Sequence, residues 1–219
     1  MMRLSRYGGN PNLGVYSVAN ERIAIISPDA SPEYVNDVQE ALGVKTILTT
    51  VAGSFVVGSL TAMNSSCAVV SGLAEEAEIE AISSEISVHL LYTRYNAAGN
   101  NILVNDFGAV VNPNIDDRTI KELEDALGMK CVRSTIAGMD TVGSACKVTN
   151  KGAICHPNTS EEEMRLISET LNVEARKTTL NHGSFLLGPC LIANSKGALV
   201  GDITTPIEMG KLEDALNLF

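Results

Sequence analysis

The chain has few of the residues and patterns from which catalytic and cofactor sites are usually built. It contains only three histidines, and none of its five cysteines belongs to a CxxC pair. It has no GxxxxGK phosphate loop, no GxGxxG nucleotide motif between a strand and a helix, no zinc-ligand spacing and no GxSxG nucleophile motif. These absences argue against enzymes and binding proteins that depend on those phosphate, nucleotide, zinc or nucleophile motifs. We expect no metal ion and no other cofactor.

Long apolar runs and a secretory leader are also missing. No stretch approaches the roughly 20 apolar residues of a membrane span, and the first residues lack the charged-then-apolar pattern of a signal peptide. The five cysteines are an odd number in apolar, strand-like surroundings, which favours reduced thiols in the core. We therefore expect a cytoplasmic protein, a monomer with no membrane partner.

Basic residues are scarce, with 16 Lys and Arg against 26 Asp and Glu and a net charge of −10. This balance argues against a general nucleic-acid binder, and DNA is excluded as a partner. The charges are unevenly distributed, because five helix-like windows hold 20 of the acids and only four of the bases. The remaining strands and turns are net positive, so an acidic protein can still present basic edges. The windows are residues 31–42, 75–86, 116–127, 160–171 and 205–216.

What the chain does have is a five-fold internal repeat. A glycine is followed after ten residues by an alanine, and after eighteen more by a leucine or isoleucine. A self-similar spacing that covers the whole chain indicates a repeat architecture. The five sets are Gly14/Ala24/Leu42, Gly58/Ala68/Ile86, Gly99/Ala109/Leu127, Gly143/Ala153/Leu171 and Gly188/Ala198/Leu216.

The repeat predicts a closed ring of five units in a single domain. Successive glycines are 41 to 45 residues apart, and the step from Gly188 past the chain end to Gly14 has the same length. In a closed ring the two ends of the chain can meet and form one unit together. In a linear solenoid the ends lie far apart, so complementary part-units at the ends are not expected. Residues 1–9 are therefore expected to complete the fifth unit. The predicted units are 10–52, 53–96, 97–138, 139–183 and 184–219 with 1–9.

Each unit is expected to fold as strand, turn, strand, helix and strand, with the helices outside. The first strands are predicted at Val15–Ala19, Val57–Met63 and Ile102–Val104, each joined by a polar turn to a second apolar run. A Pro- or Gly-containing breaker precedes each helix, and Ser160–Glu163 and Thr205–Glu208 have the spacing of capping boxes. The fold class is therefore α/β.

The hairpin turns carry the candidate binding residues. Asparagine stands three or four residues before each repeat alanine, and three basic residues accompany the turns. Asparagine tolerates left-handed turn geometry and bonds its own backbone, which explains each residue singly. The ring, however, places all five turns at one end, and a polar, locally basic rim suits docking on a large partner. Both interpretations stand at this point. The candidates are Asn20, Arg22, Asn64, Asn105, Asn150, Lys151, Asn194 and Lys196.

Four separate segments resemble one known family, in order and along the whole chain. The segments TVAGSFVVG at 50–58, NDFGAVVNPNID at 105–116, NKGAICHPNTS at 150–160 and NHGSFLLG at 181–188 are similar to archaeal members of the translation initiation factor 6 family. The resemblance implies a five-fold α/β ring, the pentein fold. It also implies binding to the large ribosomal subunit, through a ribosomal protein and nearby rRNA, which prevents premature association with the small subunit. A part in large-subunit biogenesis is left open.

The same ring architecture supplies an alternative from another class. Other pentein proteins are enzymes that modify guanidino groups with a Cys nucleophile, a His and acidic residues. A pair such as Cys190 with His156 or His182 is conceivable in space. The apolar positions of the cysteines and the scarcity of histidine favour a binding protein without catalytic residues. His156 stands next to Pro157 in a breaker, where a polar turn residue is expected.

Overall fold

The computed structural model describes all residues 1–219 and contains five similar units. Each unit has a four-residue helix, a β-hairpin, a longer helix and a third strand. The strands are β1 Met2–Ser5, β2 Ser17–Ala19, β3 Ile23–Ile26, β4 Lys45–Leu48, β5 Thr61–Met63, β6 Cys67–Ser71, β7 Ser87–Leu91, β8 Ile102–Val104, β9 Ala109–Val111, β10 Cys131–Arg133, β11 Cys146–Val148, β12 Ala153–Cys155, β13 Ala175–Lys177, β14 Leu191–Asn194 and β15 Gly197–Gly201.

The helices fall into two classes by length. The short helices are α1 Leu13–Tyr16, α3 Val57–Leu60, α5 Ala98–Asn101, α7 Val142–Ala145 and α9 Leu187–Cys190. The long helices are α2 Pro32–Leu42, α4 Glu76–Ser83, α6 Asp117–Leu127, α8 Glu161–Leu171 and α10 Pro206–Leu216. The long helices lie outside the sheets, as predicted. No helix has the length and apolar character needed to cross a membrane.

The strands form five separate three-stranded sheets with one topology. In each sheet the two hairpin strands pair antiparallel, and the third strand pairs parallel to the second, as in β2-β3-β4. The second strand is central and fully buried, and its repeat alanine is 0% exposed in all five units. The small side chain therefore serves a crowded interior position between sheet and helix. The α/β fold class with repeated units is confirmed.

The first strand of the chain completes the last sheet. β1 pairs parallel to β15, with Met2 opposite Ala198 and Ser5 opposite Gly201. Two further backbone hydrogen bonds extend the pairing, from Ala198 N to Met1 O (3.0 Å) and from Asp202 N to Ser5 O (2.9 Å). The N-terminal segment therefore supplies the third strand of the fifth sheet.

The short helices were not predicted from the sequence. The strands expected at Val15–Ala19 and Val57–Met63 begin only at Ser17 and Thr61, because a helical turn precedes each of them. The five short helices contact one another in cyclic order: α1 contacts α3, α3 contacts α5, and so on through α7 and α9 back to α1. At each contact the repeat glycine faces the carbonyl of the neighbouring repeat glycine. A Cβ built on Gly58 would lie 2.1 Å from Gly14 O.

The long helices begin and end at the residues that their sequences indicate. Ser160 and Thr205 form capping boxes with Glu163 and Glu208, as predicted. A third box, between Glu75 and Glu78, was not expected because glutamate is an uncommon N-cap residue. Four of the helices end in a left-handed C-cap residue. Five apolar clusters pack between sheets and helices around the ring.

Candidate functional site

The topology gives the ring two chemically different ends. The hairpin end consists of the turns at residues 20–22, 64–66, 105–107, 149–151 and 194–196. The link end consists of the breakers that precede the long helices and the loops that lead from each third strand to the next unit. Because β3, β4 and their equivalents run parallel, both kinds of link-end loop follow strands that end on the same side.

Four of the five candidate asparagines are buried rather than presented to solvent. Asn20, Asn64, Asn105 and Asn194 are each at most 6% exposed. The side-chain oxygen accepts from the backbone of its own turn, as Asn194 Oδ1 does from Lys196 N (2.9 Å) and Gly197 N (3.2 Å). This is the local turn bonding that asparagine favours.

The amide nitrogen of each buried asparagine donates to a backbone carbonyl of the neighbouring unit. Asn194 Nδ2 reaches both Asn20 O (3.1 Å) and Leu42 O (3.0 Å). The other bonds run from Asn20 Nδ2 to Asn64 O (2.8 Å), from Asn64 Nδ2 to Leu127 O (3.2 Å) and from Asn105 Nδ2 to Thr149 O (3.1 Å) and Leu171 O (2.8 Å). The polar atoms of these four residues thus already join adjacent units, and the docking prediction for them would require a partner to replace these bonds.

Asn150 differs from the other four, since Thr149 occupies the equivalent buried position. Asn150 lies one residue later, where its amide donates to Asp106 Oδ2 (2.6 Å) and its oxygen accepts from Asp106 N (3.0 Å). Glu21 makes the corresponding contact to Ser195 N (3.0 Å). The turns thus carry two carboxylates beside Arg22, Lys151 and Lys196, so the hairpin end is mixed in charge rather than basic.

The three basic candidates are exposed but engaged with backbone carbonyls. Lys196 Nζ donates to Glu21 O (2.6 Å) and Gly43 O (3.2 Å), and Arg22 donates to Ser65 O (2.9 Å). Lys151 Nζ lies 3.5 Å from Asn217 O. Lys196 and Lys151 thus lie at the C-terminal ends of α2 and α10, where the helix dipole favours positive charge, whereas Arg22 binds a carbonyl of the neighbouring hairpin turn. A partner at this end would have to compete with them.

Large exposed apolar side chains gather at the link end. Phe55 and Phe185 are each 51% exposed, while Leu73 and Tyr92 are about 70% exposed. Phe107 is the one such side chain within the hairpin turns, and the terminal residues Met1 (63% exposed) and Phe219 (85% exposed) lie beside those turns. Sequence reasoning missed this surface, although the repeated GSF at residues 53–55 and 183–185 was an available signal. Other link-end members are Leu48, Ile203 and Ile207.

Three glutamates hold the link-end loops in place. Glu208 accepts from Thr179 Oγ1 (2.8 Å), His182 N (3.1 Å) and Gly183 N (2.8 Å), in addition to its capping-box bond from Thr205 N (2.9 Å). Glu78 and Glu163 bind the equivalent loops in the same way. One carboxylate therefore joins the start of each of these helices to the loop that leads into its unit.

These bonds give Glu208 a pH-dependent role in stability. Burial alone raises the pKa of Glu208, but the hydrogen bonds from Thr205, Thr179 and Gly183 outweigh burial and lower the pKa to about 2. An unfolded glutamate has a pKa of about 4.3. The ionised carboxylate is thus favoured in the folded state. Its contribution is complete above about pH 5 and is lost as the pH falls toward 2.

We expect Glu208→Gln to lower the free energy of unfolding by about 2 kcal/mol at pH 7. The difference from the unmodified chain should shrink as the pH falls from about 5 toward 2. Denaturant unfolding of both proteins at a series of pH values measures this difference in free energy of unfolding. Glu162→Gln is the control, because Glu162 is exposed on α8. A difference that stays constant down to pH 2 would contradict the role given to the carboxylate.

The groups considered for catalysis are placed unfavourably for it. All five cysteines are free and buried. Burial raises the pKa of Cys190 to about 11, and its Sγ donates to Leu186 O (3.1 Å), so the thiol form prevails at neutral pH. His156 Nδ1 accepts from Asn158 N (3.0 Å), which confirms a turn role. No three His, Cys, Asp or Glu side chains are grouped to hold a metal ion.

Comparison with known proteins decides the family. The family model described as "eIF-6 family" matches residues 2–215. The chain belongs to the eIF-6 family. Two relatives named translation initiation factor 6 are those of Methanosphaerula palustris, 41% identical over 98% of this chain and 97% of the relative, and Methanococcoides burtonii, 45% identical over 94% of each. That of Archaeoglobus fulgidus is 42% identical over 95% and 96%.

A solved structure with a partly similar backbone is that of a dimethylarginine dimethylaminohydrolase adduct with S-methyl-L-thiocitrulline. It aligns with a TM-score of 0.48 and 12% sequence identity, over 76% of this chain and 68% of that one. The relatives that share 34–45% of their residues with this member of the eIF-6 family are named initiation factors.

Proposed function

We propose that this eIF-6 family member binds the large ribosomal subunit in the cytoplasm and prevents its premature association with the small subunit. Support comes from the family match over nearly the whole chain and from the name translation initiation factor 6 of its relatives. Blocking association by excluded volume requires a rigid body rather than a reaction. The ring, with its asparagine bonds between units, has this property.

The link end is the better candidate for the docking surface. Exposed apolar side chains on a folded protein mark interaction sites when polar residues surround them. At the link end the first turns of the long helices supply that polar perimeter, and it is acidic. Exposed acidic members are Glu33, Glu76, Asp117, Glu161 and Glu162, of which Asp117 and Glu161 pair with Arg133 and Lys177 and the other three make no ion pair. Apolar side chains within an acidic perimeter fit a basic ribosomal protein better than bare rRNA phosphates.

The hairpin end remains the competing prediction, now limited to its exposed residues. Arg22, Lys151, Lys196 and half-buried Asn150 are still accessible there. Phe107 gives this end one exposed aromatic side chain, 50% exposed, which matches Phe55 and Phe185 closely. The three phenylalanines therefore allow a comparison of the two ends by the same substitution.

We expect Phe55→Ser with Phe185→Ser to weaken co-sedimentation with isolated large subunits by at least about tenfold, because buried aromatic anchors dominate interface energies. Phe107→Ser with Lys151→Glu and Lys196→Glu should change it less than about threefold. Quantitative pelleting at one fixed salt concentration, with unfolding midpoints as a folding control, measures both. The unmodified chain should also reduce formation of joined ribosomes.

The outcomes separate the docking face from the function. Loss of binding only in the hairpin-end variant would return the docking surface to the hairpin end and leave the function intact. Equal sedimentation with small subunits, or no sedimentation with large ones, would overturn the proposed function. Turnover of a methylated guanidino substrate that stops on alkylation of Cys190 would instead support the enzyme alternative.

A further inference from the structure

A cavity that is open to solvent lies along the axis of the ring. Its walls are the five repeat glycines of the short helices and the first strands beneath them, and its volume is about 60 Å³. A second space of about 30 Å³ continues toward the hairpin end, where Glu21 and Asp106 are among its lining residues and both carboxylates bond to neighbouring turns. A water molecule needs roughly 10–15 Å³ of such volume. The larger cavity is therefore big enough for several waters or one small polyatomic ion.

Lys147 is the only residue with a charged side chain among the twenty that line this cavity. It lies in β11, between Cys146 and Val148, at a position where the other units place Val18, Ala62, Leu103 and Ile192. No Asp or Glu lines the cavity, and Lys147 makes no ion pair. One unit thus has a cation at a strand position that is apolar in the other four units.

The electrostatics of the cavity favour an incoming negative charge. Burial lowers the pKa of Lys147 to about 8, so the amine is still mostly protonated at pH 7. Lys147 is half-buried, and its ammonium has lost part of its hydration without gaining a counter-charge, which is unfavourable for an ion. Two half-buried side chains that also line the cavity, Ser59 and Asn100, can donate hydrogen bonds.

The other ionisable group in the lining is electrically neutral. The Sγ of Cys146 lies 3.3 Å from that of Cys155 in the core, and burial raises its pKa well above the usual range. No thiolate therefore neutralises Lys147. The donor set consists of the ammonium of Lys147, the amide of Asn100 and the hydroxyls of Ser59 and Thr61, of which Thr61 Oγ1 is buried without a partner, and a ligand must supply the acceptors.

We propose that the axial cavity binds a small oxyanion, a carboxylate or a phosphate-sized ion, with the ammonium of Lys147 as its counter-charge. The site is independent of ribosome binding, so either proposal can fail alone. Because an anion stabilises the charged amine, binding raises the fraction of Lys147 that is protonated. Binding therefore weakens as the pH rises past the point where the free amine loses its proton.

The test titrates the full chain with inorganic phosphate, and separately with acetate, at constant ionic strength. We expect a saturable rise in unfolding midpoint with one of these probes. In Lys147→Met, which keeps the length of the side chain and removes its charge, the apparent affinity should fall at least tenfold. Lys151→Met is the matched control on the exposed hairpin turn and should keep the affinity within twofold.

A second measurement covers the case in which Lys147→Met does not fold. Side-chain nitrogen NMR of the unmodified chain follows the Lys147 amine directly, and its pKa should rise on saturation with the anion. An unchanged amine pKa, or equal stabilisation of the unmodified chain and Lys147→Met, would show an adventitious ion only and overturn the site. The absence of saturable binding of either probe would do the same.

Discussion

Deleting residues 1–6 should lower the unfolding midpoint by about 10 °C or more. The deletion removes β1 and leaves β15, the central strand of the fifth sheet, with an unpaired edge. It also removes side-chain bonds to α2, since Arg3 binds Asp37 (3.1 Å) and Glu40 (2.6 Å). The backbone hydrogen bonds along the four paired residues, at about 1 kcal/mol each, already amount to a large share of a typical folding free energy.

Two comparisons make this result specific to the strand. Arg3→Ala with Ser5→Ala keeps the backbone pairing and removes the contacts to Asp37, so it should cost about 1–2 kcal/mol. Deleting Phe219, which is 85% exposed, should change the midpoint by less than about 2 °C. If deletion of residues 1–6 left the midpoint unchanged, β1 would not be the strand that completes the fifth sheet.

Gly99→Ala should destabilise the protein by more than about 4 kcal/mol. A Cβ on Gly99 would lie 1.9 Å from Gly58 O and 2.7 Å from Thr61 O. Both contacts are to backbone of the preceding unit, which cannot turn aside as a flexible side chain would. The short helices must therefore separate, and the distortion propagates around a closed cycle of contacts.

Gly210→Ala is the matched control for this substitution. Gly210 lies within α10 and nothing approaches the position of its Cβ within 4 Å. Alanine is the better helix former by about 0.5–1 kcal/mol, so this variant should gain stability. Equilibrium denaturation measures both variants. A Gly99→Ala protein within about 1 kcal/mol of the unmodified chain would contradict the close packing of the repeat glycines.

The buried asparagines have a second role, between units, that turn chemistry alone does not indicate. Asn105 has the residue type and position of a solvent-exposed hairpin turn, and its local hydrogen bonds are those expected. Its amide, however, faces the last carbonyl of α8 in the next unit. That carbonyl lacks a partner within its own helix, and the asparagine satisfies it. No pattern within one unit indicates this contact.

The sequence by itself determined the number of units, their order of strands and long helices, and the completion of the fifth sheet by β1. These features follow from local physics that repeats along the chain. Capping boxes define where α8 and α10 begin, and the periodic apolar residues give each helix one buried face. The spacing from Gly188 past the chain end to Gly14 equals the spacing between the other repeat glycines, and it therefore predicted how the N-terminal segment aligns with the fifth unit.

Only the tertiary structure decided the short helices, the character of the two ends and the axial cavity. Four residues are too few to show a helical period, and α3 is held by its contacts with α1 and α5 rather than by propensity. Phe55 and Phe185 lie 130 residues apart, yet the ring brings them to one end. The sequence shows Lys147 only as a strand residue, and only the meeting of five first strands around an axis places it, half-buried, in the wall of a cavity without a counter-charge.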